Sequence, residues 1–73
     1  MTFYTLEYNT IEGGHYQYLY SKPENHEGYI TTDDPGDAMR WDSREEASAY
    51  LEAFPYKMDF HVQGILGDQK ILK

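Results

Sequence analysis

The sequence predicts an α+β fold: a single antiparallel sheet of about four strands, in the order β-β-(β)-β-α-β, with one helix packed on one face. Three patterns carry this prediction. Apolar and polar residues alternate through Thr2–Tyr8, His15–Ser21 and Phe60–Leu66, the period of half-buried strands. Glu12-Gly13-Gly14 separates the first two of these runs, and glycine supplies the positive φ that a hairpin turn needs. Ser43-Arg44-Glu45-Glu46 is a capping box that opens a run of apolar residues at helical spacing.

In the first strand Tyr4, Leu6 and Tyr8 point one way and Phe3, Thr5 and Glu7 the other. Tyr16, Tyr18 and Tyr20 share one face of the second. Loop length decides how these faces combine, because a one-residue slip exchanges them. A two-residue Gly13-Gly14 loop pairs Ile11 with Tyr16 and sets the two sets of side chains on opposite faces. A three-residue loop, Glu12 to Gly14, pairs Tyr8 with Tyr18 and gathers all six on one face. The latter makes one clearly apolar face and is the expected register.

Residues 22–37 are rich in Pro, Gly, Asn and acidic side chains and read as a long acidic loop, with a short strand at Tyr29–Thr32. Asp33-Asp34-Pro35-Gly36-Asp37 is turn chemistry. Ala38–Trp41 reads as a further strand with Met39 and Trp41 inward. The helix is expected from Arg44 to Ala53, since Ala47, Tyr50, Leu51 and Phe54 recur at i, i+3, i+4 and i+7 and Pro55 stops it. In the last strand, Phe60, Val62 and Leu66 oppose His61, Gln63 and Ile65, and Gly64 marks a bulge or a close contact. Gly67-Asp68 turns the chain into a short tail, 69–73. One helix covers one face of a sheet, so the other is expected to stay solvated, pair with a copy or meet a partner.

The 73 residues leave room for one domain, 1–73. No cysteine is present, which removes disulfides, thiolate catalysis and Cys-based zinc sites and suits a reducing compartment. No apolar run approaches the roughly 20 residues that span a bilayer, and no basic segment precedes an apolar one at the start, so a cytoplasmic location is expected. Thirteen acidic residues against six basic ones give a formal charge of −7. That charge disfavours direct binding to nucleic acid or to anionic lipid, which require Lys and Arg. It suits a partner with a basic surface.

No catalytic constellation appears. Ser21, Ser43 and Ser48 lack a base and an orienting group, and Gly13-Gly14 lacks the remainder of a phosphate loop. His15, His26 and His61 have no metal-ligand spacing, and Asp33, Asp34 and Asp37 lack that of a calcium loop. No metal, no cofactor and no enzymatic activity are expected. Tyrosines are the strongest signal. Eight of them, with three phenylalanines and one tryptophan, exceed what so small a core hides. The expected partner-binding residues are therefore Tyr16, Tyr18, Tyr20 and Tyr29 with the loop acids Glu24, Glu27, Asp33, Asp34 and Asp37. The acids read either as a solubilising face or as a mimic of a phosphate backbone that competes for a Lys/Arg groove.

The segment Ala38-Met39-Arg40-Trp41-Asp42-Ser43-Arg44-Glu45-Glu46-Ala47, with Tyr50-Leu51 and Phe54-Pro55, resembles a strand–cap–helix–Pro segment in the small anti-CRISPR proteins of phages. The resemblance spans 38–55 and implies a four-stranded sheet and a phage- or mobile-element-encoded inhibitor that binds a host CRISPR surveillance complex. It transfers no binding residue to this chain. The alternative expectation is a small homodimeric structural or regulatory protein that pairs its open sheet face or an edge strand.

Overall fold

The computed structural model describes residues 2–11, 13–22 and 28–66. Four strands, β1 (Thr2–Tyr8), β2 (Tyr18–Ser21), β3 (Ile30–Thr32) and β4 (Phe60–Leu66), form one antiparallel sheet in the order β3-β2-β1-β4. One helix, α1 (Arg44–Ala53), lies between β3 and β4 in sequence, and a turn of 3-10 helix at Lys57–Asp59 leads into β4. The fold is α+β, and the element order is β-β-β-α-β.

The helix has the predicted bounds because its end signals are local. Ser43 holds an extended backbone, and its Oγ accepts the Glu46 N–H at 3.1 Å, satisfying an amide that the first turn leaves without a partner. Glu45 and Glu46 lie at the positive end of the helix dipole. At the other end Phe54, which precedes Pro55, is extended as proline requires. Ser43→Ala is expected to cost about 1 kcal/mol in urea unfolding with an unchanged fold, as loss of an N-cap does.

β4 pairs with β1 over seven positions, from Thr2↔Leu66 to Tyr8↔Phe60, with no register shift. Gly64 is therefore not a bulge, nor does a close approach demand glycine: a Cβ there would meet the Tyr4 ring at 3.4 Å, an ordinary contact. Tyr4, Leu6 and Tyr8 share their face with Val62 and Phe60, and this face carries the larger core. Leu6, Leu19, Phe54 and Phe60 are buried there, with Tyr8, Tyr29, Met39, Trp41, Tyr50, Leu51, Tyr56 and Val62 packed around them.

The hairpin corrects the expected register. Gly13 and Gly14 do take positive φ, 59° and 81°. However, β1 meets β2 at Glu7↔Tyr18, not at Tyr8 with Tyr18. That single step sends Tyr18 to the face opposite the helix and Leu19, with no exposed surface, to the helix side. The compact aliphatic chain of Leu19 takes the core position and Tyr18 meets the Glu7 carboxylate.

Ala38–Trp41 is a wedge and not a ladder strand. Tyr4 and Trp41 exchange two N–H···O bonds of 2.9 Å, and Met39 N–H donates to the Leu19 carbonyl at 3.0 Å. The segment thus fills the fork where β2 leaves β1 after Tyr18. Its side chains alternate as predicted: Met39 and Trp41 join the helix-side core. Ala38 goes to the opposite face, where it is buried with Phe3, Tyr18 and Ile65. The Arg40 guanidinium stacks 4.2 Å from the Phe3 ring centroid. The face away from the helix is therefore partly closed by the chain itself, contrary to the expectation that it stands open.

Among the described residues no helix is long and apolar enough to cross a membrane. The predicted turn at Gly67-Asp68 and the tail 69–73 lie outside the described residues.

Candidate partner-binding surface

The candidate surface lies on the sheet face opposite α1, with the 33–41 segment at its border. Its floor is closed. Phe3, Thr5, Glu7, Tyr18 and Ile65 are all buried, and Thr5 Oγ1 donates to the Gln63 carbonyl at 3.4 Å. Glu7 is the one buried carboxylate among the described residues, and it is held by partners. Its Oε1 lies 2.8 Å from His61 Nε2. His61 Nδ1 lies 2.6 Å from Asn9 Oδ1, and Asn9 Nδ2 donates to the Met58 carbonyl at 2.9 Å, which turns Oδ1 toward the ring. Each ring nitrogen thus faces one acceptor oxygen, and the tautomer sets which of them donates. This clip ties the end of β1 to the start of β4. The sequence shows His61 only as a strand residue; the one signal for the clip is a lone Glu in the alternating pattern of the first strand.

Burial raises the Tyr18 phenol above its ordinary 10.0, with the Glu7 charge and hydrogen bond adding to the effect. Burial likewise pushes Tyr29 well up, and the hydrogen bond its hydroxyl donates to Asp59 Oδ2, at 3.1 Å, acts in the same direction. Both phenols hold their protons more tightly folded than unfolded. The stability they contribute is complete below the unfolded value and is lost as pH rises beyond it. Alkaline titration followed by phenolate absorbance and circular dichroism is expected to show two tyrosines ionising late, together with unfolding above pH 10.0. Ordinary titration of all eight with the fold intact would contradict this assignment.

The structure separates the predicted binding residues. Tyr16, just before β2, and Tyr20, within it, are 55% and 49% exposed. Tyr18, between them, is only 8% exposed and offers a partner no ring face. Tyr29 sits on the helix side, its centroid 4.9 Å from Phe60 and 5.2 Å from Tyr56, and belongs to the core. Asp33 and Asp37 are exposed. Asp34 builds the turn: its Oδ1 accepts the Gly36 N–H at 2.8 Å and its carbonyl accepts the Asp37 N–H at 3.0 Å. Glu24 and Glu27 lie outside the described residues. What remains exposed of the predicted set is Tyr16, Tyr20, Asp33 and Asp37. Ile11, Ile30, Met58 and Leu66, which the sequence did not single out, are exposed as well.

The electrostatics are one-sided because thirteen acidic residues face six basic ones, and the described cations make local contacts. Lys22 lies 5.9 Å from the Tyr56 ring centroid and Arg44 5.3 Å from that of Tyr4. Arg40 stacks on Phe3 and donates to the Gly36 carbonyl at 2.9 Å. Lys57 approaches Glu52 at 3.8 Å, an exposed pair of small energetic consequence. Asp33, Asp37, Asp42, Glu45 and Glu46 form no ion pair among the described residues. Among the same residues no three His, Asp or Glu side chains gather around a space for a metal ion.

No protein-family model, no curated protein and no solved structure matches the chain.

Proposed function

We propose that the chain is a non-enzymatic, protein-binding inhibitor, encoded by a phage or mobile element, that acts in the host cytoplasm by covering the nucleic-acid-binding surface of a host nucleoprotein complex, as anti-CRISPR proteins do. The observation that supports it most is that Tyr16 and Tyr20 are exposed, as are Asp33 and Asp37, which form no ion pair among the described residues. Tyrosine is an interface anchor because its ring buries a large area at small entropic cost. Carboxylates in excess raise the encounter rate with a Lys/Arg groove and reject nucleic acid itself. The test is competition between the chain and duplex DNA for a purified CRISPR surveillance complex. The chain is expected to exclude DNA. Asp33→Lys combined with Asp37→Lys is expected to slow association about tenfold at low salt, with less effect at high salt. Unchanged DNA binding at saturating chain would sink the reading.

One observation favours a second reading, a homodimer through β4. In an antiparallel ladder alternate residues turn their backbone groups to the partner strand. The Asn9 N–H to Asp59 carbonyl bond (2.8 Å) sets that alternation, so Val62 and Gly64 direct theirs to the outer edge of β4. The Gly64 carbonyl takes the Gln63 Nε2 donor at 3.2 Å; β4 carries no Lys, Pro or bulge that would blunt the rest. Sedimentation across a concentration series decides: a monomer at every concentration removes the homodimer.

A further inference from the structure

Where β1 ends and β3 begins, a cleft of about 300 Å³ opens between Tyr8, Gln17, Tyr29 and Thr31. Its two rings stand 6.3 Å apart and tilted by 53°, so both offer π surface to one small group. The hydroxyl protons of Tyr29 and Thr31 are committed inward, and Tyr8 adds a hydroxyl that can both donate and accept. Tyr29 donates to Asp59 Oδ2 at 3.1 Å, and Thr31 Oγ1 donates to Gln17 Oε1 at 3.1 Å. What these groups have left is mainly oxygen lone pairs, with the Gln17 Nε2 as the remaining amide donor. Among the described residues no cation lines the cleft, and the chain carries a formal charge of −7.

We propose that this cleft binds the guanidinium of an arginine side chain presented by the basic partner. The inference rests on the reading above that the partner is basic; Tyr8 and Tyr29 place the cleft on the helix side of the sheet, so the arginine it takes comes from a part of the partner other than the groove that meets Tyr16 and Tyr20. A guanidinium is planar and always charged, stacks on aromatic rings, and donates in its plane. Those properties match two tilted rings beside acceptor oxygens. An anion meets too few donors here. A lysine ammonium lacks the plane that stacks.

The test uses the full chain, titrated by NMR with N-acetyl-arginine amide. N-acetyl-citrulline amide serves as the neutral isostere, and N-acetyl-phenylalanine amide as an aromatic occupant. The arginine amide is expected to shift the Tyr8 and Tyr29 ring signals and the Gln17 side-chain amide saturably, with a dissociation constant on the order of millimolar. Gln17→Ala is expected to weaken this about tenfold, as loss of a bond to a charged group does. The spectrum of the unliganded variant reports whether it is folded, and Thr31→Val offers a second, near-isosteric change that frees Gln17 Oε1 from its present donor. Equal shifts from the citrulline or phenylalanine amide overturn the proposal, as does the lack of saturable shifts with the arginine amide. The two readings fail separately. Arginine bound in the cleft by a chain that displaces no DNA sinks the proposed function alone. DNA displaced by a chain whose cleft takes no arginine sinks the cleft alone.

Discussion

Phe54→Ala is expected to destabilise the chain by about 3–5 kcal/mol, enough to leave much of a domain this small unfolded at room temperature. Phe54 caps the helix and is 4% exposed. Its ring centroid lies 5.7 Å from Phe60, 5.7 Å from Tyr50, 5.8 Å from Tyr56 and 6.3 Å from Tyr29. Edge-on and tilted pairs of this kind add to the area each ring buries. Truncation therefore opens a cavity among four other rings and releases the helix from the sheet at its C-terminal end. Urea unfolding measures the loss directly, and Phe54→Leu is expected to recover part of it by refilling volume. A cost below 1 kcal/mol would mean that the aromatic cluster is not what holds α1 to β1 and β4.

The second large effect concerns binding and leaves stability alone. Tyr16→Ala and Tyr20→Ala are each expected to change unfolding free energy by no more than about 0.5 kcal/mol, since both rings stand half in solvent. Against the surveillance complex each is expected to weaken affinity about thirtyfold, the typical loss of an interface anchor near 2 kcal/mol. Tyr18→Phe is the internal contrast. Its ring is buried, so removing the hydroxyl withdraws a partner from Glu7 and acts on stability, with binding per folded molecule preserved. Calorimetry of the folded variants against the complex separates the two classes. Equal binding by wild type and the Tyr16→Ala/Tyr20→Ala double variant would remove the tyrosines from the recognition surface.

Elements whose signals are local were legible in the sequence. Ser43, Glu46 and Pro55 bound the helix through one side-chain cap and one steric stop, both within a few residues of the backbone they control. β1 and β4 are long alternating runs, and their alternation survives intact in the ladder. The hairpin register was not legible, because Gly13-Gly14 tolerates several loop closures and the choice is made elsewhere. Leu19 belongs in the helix-side core, Tyr18 belongs beside Glu7, and the Met39–Trp41 wedge occupies the edge of β1 that a longer hairpin would need. The same nonlocal choice divided the candidate site. Tyr29, expected in a short strand and at the binding surface, packs on Phe60, while Tyr16 and Tyr20 stay outside. Asp34 looked equivalent to Asp33 and Asp37, yet its carboxylate closes the turn. Residue type predicted which side chains suit an interface; contacts distant in sequence decided which of them remain free to form one.

Hydrogen exchange of the chain, free and bound to the surveillance complex, tests most directly whether the face opposite the helix is what recognises a basic groove. The account predicts new protection around Tyr16, Tyr20 and the Asp33–Asp37 turn, with exchange in α1 unchanged. Protection confined to α1 or to the outer edge of β4, or no complex at all, would contradict it.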